Sequence, residues 1–297
     1  MLQEDYKRVR EIVGKLSQDN ISKSHPGIRP SNFKCLVVNL VILKIILIAY
    51  NYNYFQSVDC FLKMPVKLSP VFRTPENCDF CRAVSQIDRV SDLSSEQFEQ
   101  KYAYTGRPVI VTDATGNWTA SDVFSFDFLK SVQKNVFYKN EESKCQFFPY
   151  KTGFKSLEDA LNMPENRAKY ETNTEPWYFG WSVCNYEVAH ELRKHYDRPY
   201  FLPESSENNA VDWIFIGGFG LGAHMHVDNV RLPSWQAQIK GSKQWILAPP
   251  PECFYECSSF SIIVQSGDVV VLDTNKWYHK TLVDSGDISI TIGAEYD

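Results

Sequence analysis

A mostly β fold with flanking helices, a small barrel or jelly roll, is what this sequence predicts. Strand-like runs recur at short, regular spacing over 211–216, 224–230, 234–240, 243–248, 259–264, 268–273, 278–283 and 287–294, with turn residues such as Gly241 and Gly267 between them. Helical periodicity, by contrast, falls before Val211. Of 297 residues, 43% are hydrophobic and 14% aromatic, enough for a sizeable core in one or two domains. The net charge of -5 supplies no electrostatic footprint for nucleic acid, so no nucleic-acid partner is expected.

In chain order, residues 1–34 read as a soluble, net basic tail punctuated by Ser, Pro and Gly. Residues 35–50, CLVVNLVILKIILIAY, form an apolar run interrupted only by Asn39 and Lys44. As a helix it covers about 24 Å, and extension through the tyrosines to Phe55 brings it to about 31 Å, near the thickness of a hydrocarbon core. Lys44 opposes insertion by about 2.5–3.5 kcal/mol, a cost the surrounding Leu, Ile and Val can carry. The expectation is a transmembrane signal anchor over 35–55. A buried helix of the globular domain is the competing reading. Lys15, Lys23, Arg29 and Lys34 precede the run, which favours a single-pass type II topology with the C-terminal domain in the lumen of the endoplasmic reticulum or secretory pathway. If the run is a core helix, the protein is cytosolic or nuclear.

Seven of the eight cysteines follow the run, where a lumenal setting permits disulfides. Cys78-Asp79-Phe80-Cys81 is a CxxC without a second half, so it reads as a local disulfide or as two ordinary thiols. Asn117-Trp118-Thr119 is a glycosylation sequon, usable only in the lumen.

Residues 56–89 read as a stalk or wrapping segment, and a compact domain is expected over 90–297, its barrel core over 211–297. Ser94-Ser95-Glu96-Gln97 offers capping signals for a helix to about Tyr102, and Arg107–Thr112 reads as a strand. Helices are expected over 121–133, 156–162 and 186–196. His190 and His195 sit five apart on the last, which is not a ligand-pair spacing, so they read as structural or surface residues. The chain ends directly after the last strand, and a monomer is expected.

Chemistry concentrates in Gly217–Pro251 and one distant residue. His226-Val227-Asp228 places an imidazole and a carboxylate two apart, on the same face of an extended segment. Trp277-Tyr278-His279 follows a strand and offers a third ligand. Two histidines and one carboxylate with open positions opposite is how non-haem Fe(II) oxygenases hold iron. Gly218 and His224-Met225-His226 also fit the opening of the older cupin signature, which then requires a Glu four or five residues on. Val230 and Arg231 stand there, so His226, Asp228 and His279 are the preferred set, with His224 a neighbour.

With the HxD at 226–228, the run Ala237–Pro250 (AQIKGSKQWILAPP), the Gly267-Asp268 turn and Trp277-Tyr278-His279, the sequence resembles the JmjC-type Fe(II)/2-oxoglutarate oxygenases of the cupin superfamily. The resemblance is strongest over 211–297 and extends more weakly back to about residue 90. It implies a double-stranded β-helix, with Fe(II), 2-oxoglutarate and O2 as cofactor and cosubstrates. It implies that Lys243 pairs with the distal carboxylate of 2-oxoglutarate, that Thr291 offers the same carboxylate a hydroxyl, and that Gln236 lies near the cosubstrate. Where relatives place a cosubstrate-binding Thr, this chain has Ala223.

The implied activity is hydroxylation of a protein side chain, or of an N-methyl group with resulting demethylation, on a protein substrate of the secretory pathway or membrane. The alternative is a cupin-like binding or scaffold protein without turnover. Trp177, Trp181, Trp235 and Trp277 are candidates for the barrel mouth, although aromatics at such spacing are core more often than not.

Overall fold

Alternation of buried and half-exposed side chains along short strands, broken by turn residues, requires two sheets that face each other across a core. The computed structural model describes residues 73–137, 145–207, 211–284 and 288–297. Within them Arg73–Asp297 forms one unit. No described helix is long and apolar enough to cross a membrane. The apolar run over 35–55, which carries the membrane expectation, lies outside the described residues, as do the tail and residues 56–72.

Local signals act as the sequence indicates. Ser94 and Gln97 form a reciprocal capping box for helix α1 (Ser95–Phe98), which passes into a π turn over Glu99–Ala103. The helix expected over 121–133 is two: α2 (Ala120–Val123) and α3 (Phe126–Phe137). They are separated because Phe124 is extended and fully buried. Asn185 caps α4 (Tyr186–Leu192) through the Val188 N–H.

The strands are β1 (Asp88–Val90), β2 (Val109–Val111), β3 (Phe147–Phe148), β4 (Tyr178–Val183), β5 (Asp212–Gly217), β6 (Ser234–Lys240), β7 (Lys243–Ala248), β8 (Phe260–Val264), β9 (Val269–Leu272), β10 (Tyr278–Val283) and β11 (Ser289–Glu295). The main sheet has the order β1-β2-β9-β6-β11-β5-β4-β3, and the smaller sheet β10-β7-β8. On the main sheet Ile214, Ile216, Trp235, Ala237, Ile239, Ile290 and Ile292 join a core shared with Phe98 and Leu129 of the helices. Its opposite face contributes Val270 and Leu272 to a second core with Trp245, Leu247 and Val264 of the smaller sheet. This is a mostly β, jelly-roll arrangement with flanking helices.

Four expectations change. The barrel is not confined to 211–297, because β1 to β4 lengthen the main sheet. The segment 224–230 is no strand: beyond one bridge, His226 to His279, it leaves the ladder, and the Asp228 N–H donates to the Thr274 carbonyl in the turn before β10. Residues 73–89 follow the wrapping alternative and not the stalk, and the unit that holds the domain begins at 73 instead of 90. The CxxC makes no local disulfide; Cys78 pairs with Cys253 and Cys81 with Cys257, while Cys145 pairs with Cys184. Closing a loop of 175 residues is worth roughly 5 kcal/mol in the chain-entropy account, and the parallel second bond adds less.

The four tryptophans that were candidates for the mouth are core. Trp177, Trp181, Trp235 and Trp277 are at most 1% exposed. Trp277 donates its indole N–H to the Gly106 carbonyl.

Candidate functional site

The smaller sheet carries both ends of the site on one ladder. In the β7–β10 register, His279 stands opposite Leu247, Thr281 opposite Trp245, and Val283 opposite Lys243. Alternation turns His279, Thr281, Lys243 and Trp245 inward, and all four are buried.

At one end the backbones of His226 and His279 exchange both hydrogen bonds, at 3.0 and 2.8 Å. That bridge forces the two imidazoles together, with ring centroids 4.2 Å apart. Gly222 makes the approach possible: a Cβ there would stand 2.0 Å from the Thr281 carbonyl oxygen. Asp228 lies with its carboxylate oxygens 3.3 Å from His226 Nε2 and 3.9 Å from His279 Nε2. The ligand atoms of these three side chains all fall within 4.8 Å of one another.

Hydrogen bonding selects the tautomers. His226 Nδ1 lies 2.6 Å from the His224 carbonyl and His279 Nδ1 lies 3.1 Å from the Trp277 carbonyl. A carbonyl only accepts, so each Nδ1 carries the proton and each Nε2 presents a lone pair toward the shared space. Burial holds the His279 imidazole neutral, its pKa pulled down to about 4. Burial also pushes His226 down, but the Asp228 carboxylate more than offsets it and the net shift is upward. Burial raises Asp228; the two imidazoles outweigh it and hold its carboxyl below the usual range. Two imidazole nitrogens and one carboxylate oxygen converging on one space fit a divalent cation.

At the other end Lys243 is 1% exposed. Its Nζ donates to Thr291 Oγ1 at 2.6 Å, and Thr291 donates to Gln238 Oε1 at 3.1 Å. Gln238 is oriented for this because its amide nitrogen donates to Ser289 Oγ and the Lys240 carbonyl. The ammonium lies 5.1 Å from the Tyr178 ring centre and 5.7 Å from that of Phe215. No carboxylate of the described residues pairs with it, and burial drives its pKa down to about 7. A buried ammonium with only neutral partners fits a small dianion.

Of the expected residues, His226, Asp228 and His279 meet at one end and Lys243 and Thr291 at the other. Gln236 lies on the inner face of β6 opposite Gly293, next along from Gln238. The hydrogen bond to Thr291 comes from Gln238, not from Gln236. The Ala223 backbone is engaged with β10: its N–H donates to Thr281 Oγ1 at 3.1 Å, and its carbonyl accepts from the Thr281 N–H. His195 meets Thr119 Oγ1 and packs on Phe124, while His190 stacks on exposed Tyr186. Their partners lie among the flanking helices and loops, away from the site residues.

Sequence reasoning missed Gln238, Thr281, Tyr178, Tyr150 and Asn275. Tyr178 meets Thr281, and Tyr150 packs 5.2 Å from Tyr178 and feels the Asp228 charge. Asn275 Oδ1 accepts from the Val230 and Arg231 N–H groups, and its Nδ2 donates to the Leu232 carbonyl. It thereby fixes the loop after Asp228, where Arg231 takes a φ of +73°. Period-two alternation from Gln236 places Gln238 on the same face of β6 and could have found it; nothing local pointed to the others.

The Cupin-like domain family matches residues 95–255, which include His226, Asp228 and Lys243 but stop before His279. Among curated proteins, the chain is 28% identical over 167 residues to the Arginine-specific demethylase JMJ22 of Arabidopsis thaliana, covering 55% of this chain and 31% of that protein. It is 24% identical over 186 residues to the Bifunctional arginine demethylase and lysyl-hydroxylase psr-1 of Caenorhabditis elegans, covering 58% and 42%. The chain thus spans less than half the length of either. Among solved structures, YcfD, a ribosomal oxygenase from Escherichia coli, aligns with a TM-score of 0.45 at 16% identity, covering 69% of this chain and 51% of that one.

Proposed function

The chain belongs to the Cupin-like domain family, and from that premise we propose that it is an Fe(II)- and 2-oxoglutarate-dependent oxygenase that modifies a protein substrate. The relatives named above are protein demethylases, one of them also a lysyl-hydroxylase, which supports hydroxylation of a side chain or removal of an N-methyl group. The observation that carries the reading is the pairing of two complementary sites on one ladder: a two-histidine, one-carboxylate cluster and a buried lysine with no carboxylate of the described residues against it.

In this reading His226, Asp228 and His279 hold the metal, and Lys243 with Thr291 holds the far carboxylate of 2-oxoglutarate. Iron, with 2-oxoglutarate and O2, supplies the oxidising power that the side chains lack. The residues do the rest. The carbonyls of His224 and Trp277 fix the protons on Nδ1 and so keep both Nε2 atoms free to ligate. Asp228 balances part of the added charge. Tyr178, Phe215 and Trp245 exclude water around Lys243 and His279, strengthening every charge contact there. The Gln238–Thr291 pair turns a hydroxyl lone pair toward Lys243, so that the ammonium is already aimed when a dianion arrives.

The type II membrane topology with a lumenal domain is proposed as the setting. It rests on the apolar run over 35–55 and is consistent with the three disulfides. Loss of a sugar on Asn117→Gln tests it. The activity is tested by succinate release from 2-oxoglutarate with Fe(II), wild type against Asp228→Ala. Equal rates in the two proteins sink the oxygenase reading and leave a binding protein.

A further inference from the structure

We infer that the loop Cys253–Cys257 and the groove beside it dock the protein substrate, taking an apolar side chain from a basic segment near the residue to be modified; the inference rests on the oxygenase reading above.

Phe254 and Tyr255 are 65% and 96% exposed. Loops that carry two adjacent aromatics ordinarily fold them inward, because each ring has some 150–250 Å² to bury. This one is held from doing so. Cys253 and Cys257, on either side of the pair, are both bonded to the CxxC of residues 78–81. That segment is in turn anchored by Phe80, packed edge-on against buried Trp277 with ring centres 5.3 Å apart. A loop whose backbone is held at both ends loses less freedom on binding, which lowers the cost of capturing a partner.

The position is specific. Because β7 pairs Leu247 with His279 and Ala248 with Tyr278, the chain runs out of β7 toward this loop at the end of the ladder that carries the proposed metal ligands. A groove of about 460 Å³ lies there, lined by Met225, Ala248, Pro251, Phe254, Tyr255 and Tyr278. Met225 and Tyr278 each directly precede a histidine of the proposed triad. The extended backbone turns them to the side opposite the imidazoles, so the groove flanks the site without being part of it.

Charge selects the occupant. Glu76, Asp79, Glu252 and Glu256 surround the loop, against Arg73 and Arg82. Arg73 pairs with Glu252 and Glu76, and Arg82 with Glu256 and Asp79. The excess of carboxylates favours a basic polypeptide and disfavours an anionic lipid surface.

The test uses the full chain and its Phe254→Ser/Tyr255→Ser variant. Fluorescence anisotropy compares two labelled short peptides, one with phenylalanine between two arginines and the other with serine in its place. The wild type should prefer the phenylalanine peptide by about tenfold, and the variant should lose that preference. Succinate release without peptide should be the same in both proteins. Equal affinity of the wild type for the two peptides overturns the inference. So does a wild-type protein that co-sediments with phosphatidylcholine vesicles, through these two rings, while failing to discriminate the peptides. Absence of succinate release alongside retained peptide discrimination overturns the oxygenase reading and leaves the docking surface standing.

Discussion

The two ends of the β7–β10 ladder solve opposite electrostatic problems. At the His279 end, each imidazole has a carbonyl for one nitrogen, and the carboxylate stands beside both rings, so that three ligand atoms face one space. At the Lys243 end, a formal charge is buried among a hydroxyl and two aromatic faces, with no carboxylate of the described residues against it. A folded chain tolerates an uncompensated cation only where it can shed its proton or gain an anion. The triad end is therefore prepared for a cation and the lysine end for an anion, a few residues apart on shared strands.

That contrast breaks most visibly at the triad. Asp228→Ala or His279→Ala should lower metal affinity by at least about a hundredfold in a Mn(II) titration, because each removes a donor that the remaining two cannot replace. A variant that binds Mn(II) as tightly as the wild type would place the cation elsewhere. At the opposite end, Lys243→Met should leave Mn(II) affinity unchanged and weaken 2-oxoglutarate binding by about a hundredfold, as expected for loss of a charged hydrogen bond in a dry site. Its melting temperature at neutral pH should hold or rise, since a buried cation is replaced by an apolar chain. A large fall would show that Lys243 is structural.

The asymmetry also has a pH signature. With the Lys243 pKa at about 7, the free protein above that pH carries a neutral amine. A dianion binds the ammonium, so binding takes up a proton, and affinity should fall by up to about tenfold per pH unit above 7. Calorimetry in buffers of different ionisation enthalpy measures that uptake directly; none would mean that the lysine is already charged. The smallest effect is expected from Thr291→Val, which deletes one neutral partner of Lys243 and should weaken 2-oxoglutarate binding about fivefold with Mn(II) affinity unaltered.

Which parts of this were legible in the sequence follows from distance along the chain. Strands β5 to β11 are short runs bounded by turn residues, and their bounds fall within a residue or two of expectation. His226 and Asp228 could be named from their spacing on an extended segment, whereas Lys243 and Thr291 were named only through the family resemblance. The segment 224–230 alternates too, yet only one bridge forms, because the Asp273–Trp277 turn offers Asp228 a carbonyl and no extended partner. Asn275 and Tyr178 acquire their positions from contacts with residues 45 and more than 100 positions away, which no local pattern encodes. The same holds for Cys78 and Cys81, whose partners are 175 and 176 residues distant. The four tryptophans were candidates for the mouth or the core, and the rings fill the core, the commoner place for aromatics at such spacing.

The most direct measurement is a crystal structure of the protein with Mn(II) and 2-oxoglutarate, read at the manganese absorption edge. A single anomalous peak bonded to His226 Nε2, His279 Nε2 and an Asp228 oxygen, with a carboxylate of the ligand on Lys243 Nζ, is the predicted result. A peak away from the three side chains, or a ligand with no contact to Lys243, would contradict the account.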